Sequence, residues 1–422
     1  MIGYAGMTHL GLNSAVAAAE RGFATVCFDP DAALIKRLAV GELPVIEPDL
    51  PDLHKRNESR LRFTSSAADL GLCDVVYVAP DVPTDDDGRS DLLGIDALLE
   101  IVQTVLRSGA VLVVLSQVPP GFTRARARPG LNLYYQVETL VFGRAVERAM
   151  YPERHIVGSA APDKPLPSAM RSFLEAFGCP ILVMRYESAE LAKIAINCCL
   201  VASISVANTL AELCEGVGAA WHEIVPALKL DKRIGQHSYL SPGLGIAGGN
   251  LERDLATVCR LSAQVGSDSG VVHAWIANSR HRRDWTWRTL ERSVLTRTPN
   301  PAIAVLGLAY KENTHSTKNS PSFAFIRHLT HFPLKVFDPA VKASAAPHPQ
   351  ARGAISALEA CRDADVVAIM TPWPEFRRLD PSAIVSVMRG REVLDPYAVL
   401  NAAECARAGL VHHTLGVAAD AQ

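Results

Sequence analysis

The sequence has no long uninterrupted hydrophobic run. Its strand-like apolar stretches, such as AVLVVLSQV, are far shorter than the roughly 20 residues that a transmembrane helix requires. The first residues, MIGYAG, also lack the secretory pattern of a charged segment followed by an apolar one and a cleavage site. These absences argue against a membrane-spanning or exported protein, so we expect a cytoplasmic protein without a membrane partner.

Cysteine pairs with metal-binding or redox spacing are absent too. The nine cysteines are scattered, none forms a C-x-x-C motif, and the adjacent Cys198 and Cys199 suit neither a zinc site nor an ordinary disulfide. We therefore predict reduced, mostly buried thiols and no metal site.

An excess of charge of either sign is lacking as well. The formal net charge is -2, and the one dense basic stretch is RHRRDWTWR at residues 280–288. Arginines between two tryptophans could bind nucleic acid, or they could form an exposed helical face from which Trp285 and Trp287 turn inward or toward another domain. One such stretch on a nearly neutral chain favours the helical face, so we expect no nucleic-acid partner.

What the sequence does contain is a repeated alternation of short strands and helices. Strand-like MIGYA, ATVCFD, CDVVYVAP and AVLVVLSQ occur early in the chain, and AIAVLGLAY, LKVFDP, ADVVAIMT and REVLD repeat the pattern near its end. Such alternation predicts parallel, doubly wound sheets. Between them, residues 188–215 have the composition of one apolar helix, which we expect to be buried as a domain spine or a subunit interface.

The fold class that follows is α/β, with two Rossmann-like doubly wound domains joined by a central helical domain that contains the long helix. We place the domains at residues 1–180, 181–295 and 296–422, which suits a chain of 422 residues. The segments VCFDPD and KVFDPA, which both contain Phe-Asp-Pro at the end of a strand, link the two Rossmann-like parts.

The segment GMTHLG stands between the first strand and the first helix. A dinucleotide-binding turn has the pattern G-x-G-x-x-G, in which the first glycine permits the turn and the last permits close packing of the helix. Gly6 and Gly11 keep those positions, whereas Thr8 replaces the middle glycine and brings a hydroxyl that can donate to a phosphate. Asp29 ends the second strand, where an acid accepts from ribose hydroxyls, and no arginine follows it, so we predict NAD and not NADP.

Several longer motifs follow in order along nearly the whole chain. They are GELPVIEPDL, RLRFTSSAADLGLCDVVYVAPDVPTDDDGRSDL, SAELAKIAINCCLVASISVANTLAELCE, DKRIG, LGLAYKENTHSTKNSP and TPWPEFRRLD. In these motifs the chain resembles the UDP-glucose/GDP-mannose dehydrogenase family. The resemblance implies an N-terminal NAD-binding domain, a central dimerisation and active-site domain, a C-terminal domain that binds a nucleotide sugar, and a homodimer.

The resemblance also identifies a departure at the centre of the family's chemistry. The family oxidises a primary alcohol to a carboxylate by two hydride transfers to NAD, and a cysteine in a Gly-Gly-Ser-Cys-Phe-Pro-Lys-Asp segment holds the aldehyde covalently. Aligned on its glycines and final aspartate, GGNLERD places Asn250 where that cysteine stands. An amide is not a useful nucleophile, because its nitrogen lone pair is delocalised. We interpret Cys198 and Cys199 as packing residues of the long helix and not as replacements.

Other departures affect the residues that the family uses for hydrolysis. Gln117 in SQVP stands for a threonine that helps to place water in the family. In QVETLVF, Glu138 is kept, but Phe142 stands for the second glutamate. The hydrolytic half of the family's site is therefore predicted to be missing.

The residues for one hydride transfer remain. Lys193 and Asn197 are four apart on the predicted helix, so they share a face and can converge on one oxygen, as the donors of an oxyanion site do. Asp254 could relay the alcohol proton with Lys193. The candidate catalytic residues are therefore Lys193, Asn197, Asp254 and Glu138.

The resemblance also implies the binding residues. The candidate cofactor residues are Gly6, Thr8, Gly11, Asp29, Val82, Pro83, Gln117 and Lys318. The candidate substrate residues are Thr139, Arg233, Tyr239, Gly245, Asn250 and Lys311. In the family, the residue at the position of Arg233 typically reaches across a dimer interface. Tyr397, His315 and Ser316 replace an arginine and two acids of the family, which argues against UDP-glucose as the substrate.

Several activities are compatible with this set of residues. The chain performs one reversible alcohol oxidation on a nucleotide sugar or related nucleoside and releases NADH, or it returns the hydride to the opposite face as an epimerase that retains NAD. A direct four-electron oxidation through the aldehyde hydrate is a third activity. A catalytically silent, nucleotide-binding relative is the alternative of another class. The joint presence of Asp29, Glu138, Lys193, Asn197 and Asp254 argues against the silent relative.

Overall fold

The computed structural model describes residues 1–85 and 88–418 of the chain. The chain divides into two compact units, Met1–Ile196 and Asn197–Gln422, here named the N-terminal unit and the C-terminal unit. The boundary between the units falls within one long helix. The division into three domains that the sequence suggests stays a prediction.

Among the described residues of the N-terminal unit, eight strands form one sheet. They are β1 (Ile2–Ala5), β2 (Thr25–Phe28), β3 (Leu61–Thr64), β4 (Val75–Val78), β5 (Val111–Val114), β6 (Asn132–Gln136), β7 (His155–Ser159) and β8 (Ile181–Arg185). Their order is β3-β2-β1-β4-β5-β6-β7-β8, and all neighbours run parallel except the antiparallel pair β6 and β7. The reversal of strand order beside β1 is the doubly wound arrangement that the sequence predicts.

Helices connect these strands and cover both faces of the sheet, and the last helix of the group follows the last strand and continues into the C-terminal unit. They are α1 (His9–Glu20), α2 (Ala32–Ala39), α3 (Leu50–Arg56), α4 (Leu93–Val105), α5 (Phe122–Arg126), α6 (Ala145–Met150), α7 (Ser168–Glu175) and α8 (Tyr186–Val217). In β4, Val75 and Tyr77 belong to the hydrophobic cluster that contains α1, whereas Val76 and Val78 belong to the cluster that contains α4. Because side chains alternate along a strand, a strand covered on both faces is a continuous apolar run.

The C-terminal unit contains a group of helices and a second parallel sheet. Its helices are α9 (Trp221–Leu230), α10 (Asn250–Val265), α11 (Gly270–Arg283), α12 (Trp285–Leu290), α13 (Pro321–His328), α14 (Ala357–Cys361), α15 (Pro381–Val387) and α16 (Ala402–Ala408). Its strands are β9 (Ile303–Leu306), β10 (Leu334–Phe337), β11 (Arg352–Gly353), β12 (Val366–Ile369), β13 (Glu392–Leu394) and β14 (Val411–His413), in the order β11-β10-β9-β12-β13-β14. The predicted α/β fold class with two Rossmann-like parts and a long helix is confirmed.

The two Phe-Asp-Pro segments occupy equivalent places in the two sheets. Gly6 follows β1 with a φ of 96°, and its N–H donates to the carbonyl of Phe28 at 2.9 Å. Gly307 follows β9 with a φ of 97°, and its N–H donates to the carbonyl of Phe337 at 2.8 Å. Glycine adopts such a positive φ without steric cost, so the same strand-and-turn unit is built twice.

Helix α8 extends two residues beyond each end of the predicted segment 188–215. Among the described residues it is the one helix long and apolar enough to cross a membrane by length and composition, and 33% of its most apolar window is buried inside the chain. That test is weak, because core helices also pass it. Val206, Leu213 and Val217 of this helix are exposed. Burial inside the chain therefore accounts for part of the helix, and a subunit interface over the rest stays a prediction.

The basic stretch at residues 280–288 is not a uniformly exposed face. Arg282 is fully buried and forms ion pairs with Glu212 at 3.1 Å and Glu215 at 3.2 Å. Trp285 is buried as expected, and its indole N–H donates to Glu215 at 3.1 Å. The expectation of an exposed face is wrong at Arg282, because two acids of α8 balance the charge of its guanidinium.

Gly11 provides a test of the packing between α1 and the turn that precedes it. A Cβ at Gly11 would lie 1.9 Å from the carbonyl oxygen of Gly6, so the backbone would have to move. We expect Gly11→Ala to lower the melting temperature of the protein, with a loss of about 1–3 kcal/mol or more from overpacking.

The matched control is Gly94→Ala in α4, where no atom lies within 4 Å of the added carbon. This change should leave the melting temperature unchanged or raise it slightly, because alanine restricts the unfolded chain more than glycine does. Calorimetry of both variants checks the prediction. Equal melting temperatures for the two would contradict the close approach of Gly11 to Gly6.

Candidate active site

The turn after β1 has the geometry of a dinucleotide-binding turn. Gly6 has a positive φ, and a Cβ there would lie 2.8 Å from the nitrogen of Pro80. Gly11 lies in the first turn of α1, where a Cβ would meet the carbonyl oxygen of Gly6. Both positions require glycine for the reasons that the fingerprint gives, which are the sharp turn and the close packing of the helix.

Asp29 directly follows β2 and is buried. Its carboxylate accepts hydrogen bonds from the N–H of Met7 at 2.7 Å and from the N–H of Asp31 at 3.0 Å. A carboxylate has about four lone-pair sites, so these two bonds leave capacity for further donors. The arrangement fits the ribose-binding role that the sequence gives to Asp29.

Thr8 and Asp81 contact each other at the start of α1. Thr8 is the N-cap residue, and its hydroxyl oxygen accepts from the N–H of Asp81 at 2.7 Å. The carboxylate of Asp81 accepts from the N–H of His9, the first residue of the helix, at 2.9 Å. Donation by the Thr8 hydroxyl to a phosphate stays a prediction, and the contact of its oxygen with Asp81 was not predicted from the sequence.

The other predicted cofactor residues of the N-terminal unit follow neighbouring strands. Val82 and Pro83 come after β4, and the buried Gln117 comes after β5. Because β1, β4 and β5 are adjacent and parallel, these residues follow the same edge of the sheet as the turn at Gly6. Ligands of open parallel sheets bind at this carboxyl edge.

Lys193 on α8 forms an ion pair with Glu138 within the N-terminal unit. The ammonium nitrogen lies 2.9 Å from Oε1 of Glu138, and the two side chains are 12% and 16% exposed. The other carboxylate oxygen accepts from the N–H of Leu140 at 2.9 Å. Two of the predicted catalytic residues therefore form one pair, in which a carboxylate balances the charge of the lysine.

Asn197, one helical turn further along α8, bonds to Asp254 within the C-terminal unit. Its amide nitrogen donates to Oδ2 of Asp254 at 2.5 Å, and both residues are buried. Nε of Arg253 lies 3.5 Å from Oδ1 of the same carboxylate. Asp254, which the sequence groups with Lys193 as a proton relay, contacts Asn197 within the C-terminal unit, and the relay with Lys193 stays a prediction.

The glycine-rich loop that precedes α10 is held by residues of the C-terminal unit. A Cβ at Gly245 would lie 2.3 Å from the carbonyl oxygen of Ser279, and one at Gly248 would lie 2.6 Å from the ring of Tyr310. The N–H of Ile246 donates to Oγ of Ser279 at 2.8 Å. The glycines let the backbone lie directly against a helix and an aromatic ring, which fixes the path of the loop.

Two further residues support this loop and were not predicted from the sequence. The guanidinium of Arg283 donates to the carbonyl of Ile246 at 2.8 Å and to Glu252 at 2.9 Å. The side-chain amide of Asn319 donates to the other carboxylate oxygen of Glu252. The sequence shows that Glu252 in the loop motif and Arg283 in the basic stretch are charged. They are far apart in the sequence, so no local spacing indicates that they form a pair.

Several predicted binding residues meet around this loop. Asn250 is exposed at the first position of α10. The carbonyl of Lys318 accepts from the N–H of Gly248 at 3.1 Å, so this predicted cofactor residue lies beside the loop. The ammonium of Lys311 lies 5.7 Å from the centre of the Tyr310 ring, which packs on Gly248. Gly245 and Asn250 therefore belong to the loop or directly follow it, and Lys311 and Lys318 lie near it.

Three predicted substrate residues lie elsewhere. Thr139 is adjacent to Glu138 in the N-terminal unit. The exposed Arg233 is paired with Asp231 at 2.6 Å, and Tyr239 is also exposed. Among the described residues, the contact of Arg233 with Asp231 gives no evidence for a substrate role. The reach of Arg233 across a dimer interface therefore stays a prediction.

The cysteines of the described chain are all free, and five of them are buried. Desolvation raises the pKa of the Cys73 and Cys405 thiols to about 11, which keeps both protonated at neutral pH. Within residues 1–85 and 88–418, no group of three or more His, Cys, Asp or Glu side chains is placed to hold a metal ion.

Family models match three consecutive segments of the chain. For the UDP-glucose/GDP-mannose dehydrogenase family, the NAD binding domain matches residues 1–174, the central domain matches 187–280 and the UDP binding domain matches 304–402. The chain therefore belongs to the UDP-glucose/GDP-mannose dehydrogenase family, as its motifs predict.

Individual relatives extend this similarity over nearly the full chain. The UDP-glucose 6-dehydrogenase of Pseudomonas aeruginosa is 30% identical over 438 residues, which cover 97% of this chain and 96% of that protein. The UDP-glucose 6-dehydrogenase TuaD of Bacillus subtilis is 28% identical over 427 residues, which cover 97% and 92%. The structure of a UDP-glucose dehydrogenase from Pyrobaculum islandicum matches with a TM-score of 0.82 and 28% identity over 94% of each chain.

The geometry of the turn and the family assignment agree on the cofactor, which is NAD. The positive φ of Gly6, the lack of space for a side chain at Gly11 and the remaining acceptor capacity of Asp29 all fit a dinucleotide. The chain is a nucleotide-sugar dehydrogenase-like oxidoreductase, and the family's UDP binding domain supports a nucleotide-sugar substrate.

The contact between Asn197 and Asp254 leads to a pH-dependent prediction. Asn197→Asp would place two carboxyl groups at hydrogen-bond distance in a buried site, so they would share one proton and one pKa would be raised. A group whose pKa is raised on folding stabilises the protein below its unfolded pKa of about 4 and loses that effect as the pH rises. We expect the melting temperature of this variant, relative to the unmodified protein, to fall progressively between about pH 4 and pH 7.

The control is the double variant Asn197→Asp with Asp254→Asn, which again has one amide and one carboxylate. It should recover most of the stability and lose the added pH dependence. A single variant whose melting temperature follows pH as the unmodified protein does would contradict the buried contact.

Proposed function

We propose that the chain catalyses one reversible hydride transfer between an alcohol of a nucleotide sugar and NAD. The observation that carries this proposal is Asn250 at the start of α10, where GGNLERD aligns with the cysteine-bearing segment of the family. A side-chain amide does not attack a carbonyl carbon, so the covalent second half of the family's reaction has no nucleophile. The oxidation then ends at the carbonyl compound.

No neighbouring group compensates for this loss in the proposal. Desolvation raises the pKa of the Cys198 thiol to about 11, and Asp254 adds to the shift. At neutral pH such a thiol is protonated, whereas the thiolate is the nucleophile. Phe142, at the position of the family's second acid, stacks on the ring of His9 with centres 4.2 Å apart and supplies no base.

The pair of Lys193 and Glu138 supports proton transfer at the reacting alcohol. An ammonium beside the alcohol oxygen stabilises the negative charge that develops on that oxygen during oxidation. Glu138, 2.9 Å from the ammonium, keeps the lysine oriented and can hold the proton that the alcohol releases. When bound, NAD supplies the hydride acceptor.

Asn197 contributes a second hydrogen-bond donor in this proposal. Its amide commits one N–H to Asp254 and retains another. The bond to a buried carboxylate restricts rotation of the amide, so the second N–H keeps a constant direction. We therefore assign Asp254 a positioning role toward Asn197, and its proton relay with Lys193 stays a prediction from the sequence.

The substrate in this proposal is a nucleotide sugar other than UDP-glucose. Tyr397, His315 and Ser316 stand where the family has one basic and two acidic residues. Burial raises the pKa of the Tyr397 hydroxyl, so this group is neutral and cannot replace the charge of an arginine. A sugar or base that requires fewer charged contacts fits these substitutions, and a related nucleoside remains within the same class.

Three further features belong to the proposal. The exposed apolar residues Val206, Leu213 and Val217 of α8 support a homodimer formed through this helix. We also keep two predictions from the sequence, namely a cytoplasmic location and a division into three domains. An epimerase that returns the hydride to the opposite face would use the same residues, because it also needs no nucleophile.

The reaction is tested by product analysis. Purified protein is incubated with NAD and a panel of nucleotide sugars and nucleosides, while the absorbance of NADH and the product mass are followed. We expect one NADH for each product molecule and a product that is two hydrogens lighter than its substrate. Asn250→Cys should give the same product, because Gln117 and Phe142 are unchanged.

Each other outcome has a defined meaning. A carboxylate product with two NADH would contradict the proposal that the reaction stops at the carbonyl. An isobaric product without net NADH, together with NAD released on denaturation, would identify the epimerase. A thermal shift with nucleotides but none with NAD would favour the silent, nucleotide-binding relative.

Lys193→Met tests the role of the ammonium. The substituted side chain has similar length but no charge, so we expect kcat to fall by about 100-fold or more, with a smaller change in KM. Lys164→Ala removes an exposed lysine of the same unit and should leave both constants unchanged. If Lys193→Met folds with the normal melting temperature and keeps full kcat, the catalytic role of Lys193 is wrong.

A further inference from the structure

The start of α1 holds a carboxylate where a dinucleotide places its pyrophosphate. In a Rossmann turn, the pyrophosphate accepts hydrogen bonds from backbone N–H groups at the beginning of the first helix, where the helix dipole also favours negative charge. Here the N–H of His9, the first residue of α1, donates to Asp81 at 2.9 Å. The side chain of Asp81 therefore lies at the anion-binding end of the helix.

A second contact holds Asp81 in this position. The hydroxyl oxygen of Thr8 accepts from the N–H of Asp81 at 2.7 Å. Thr8 is the residue that replaces the middle glycine of the fingerprint, so this departure from an ordinary dinucleotide turn contacts Asp81 directly. Asp81 as a residue is exposed, but its carboxylate is tucked against the helix end, and the resulting desolvation raises its pKa although the charge of His9 and hydrogen bonds oppose the shift.

The imidazole ring of the neighbouring His9 is engaged by two other side chains. Nε2 of His9 lies 2.7 Å from Oε1 of Glu47, and the ring stacks on Phe142. Glu47 and Phe142 therefore hold the imidazole in place. Asp29 accepts from the N–H of Met7 in the same turn, so carboxylates occupy two of its backbone donors.

We propose that Asp81 is an internal competitor for the pyrophosphate of NAD and sets the affinity of this chain for its cofactor. The carboxylate must leave the N–H of His9 before a phosphate oxygen can accept from that group. While it remains near the helix end, its charge also repels the phosphates. This inference needs only the binding of NAD and is independent of how many hydrides are transferred.

The test is calorimetric titration of the full chain with NAD, ADP and adenosine. Asp81→Asn keeps the size of the side chain and an oxygen that can accept from His9, but it removes the charge. We expect the Kd of NAD and of ADP to fall by about tenfold or more, and the Kd of adenosine, which has no phosphate, to stay unchanged. The gain should shrink as ionic strength rises, because salt screens the repulsion.

The matched control is Asp91→Asn, the same change at a residue whose carboxylate accepts from the N–H of Leu93 at the start of α4. It should leave all three Kd values unchanged. Asp81→Ser provides a second variant, and the melting temperature of each ligand-free protein reports its folding. Unchanged or weaker NAD binding in both Asp81 variants, or an equal gain for adenosine, would overturn the proposal and leave Asp81 as a helix cap.

Discussion

Residues four apart on an α-helix lie one turn apart on the same face, and this repeat governs the candidate active site. Lys193 and Asn197 stand on successive turns of α8, which is unbroken across the boundary between the two units. Lys193 pairs with Glu138 in the first unit, and Asn197 pairs with Asp254 in the second. Each pair is therefore held within its own unit by its own turn of α8.

Because the two pairs are buried and Asn250 is exposed, the pairs should tolerate amino-acid substitution less well than Asn250 does. Asn197 and Asp254 are buried, so removing one partner would leave the other with an unsatisfied polar group away from water. Lys193 and Glu138 are nearly as well covered, and loss of either would leave an unpaired charge. Asn250 is exposed at the beginning of a helix, so a different side chain there leaves no buried group without a partner.

The sequence predicts those features that depend on local chemistry. The glycine turn follows from the backbone needs of Gly6 and Gly11, and α8 follows from a long apolar composition. The partners of charged side chains depend on distant parts of the chain. Asp81 meets the start of α1 across about seventy positions, and the burial of Arg282 depends on acids of another helix. Family resemblance supplied Lys193, Glu138, Asn197 and Asp254, whereas the contact of Lys193 with Glu138 and that of Asn197 with Asp254 are seen only in the structure.

The two Rossmann-like sheets show why a repeated motif does not imply a repeated ligand. Asp338 directly follows β10 as Asp29 directly follows β2. In the described chain, however, its carboxylate accepts from five donors, which are the backbone N–H groups of Leu308, Ala309, Ala340 and Val341 and the indole of Trp373. A carboxylate has about four lone-pair sites, so Asp338 has no capacity left for a ribose. Asp29 accepts from two N–H groups of the described chain and retains that capacity. The number of donors around each acid therefore favours NAD at the first sheet, whereas the second acid serves to close its own turn.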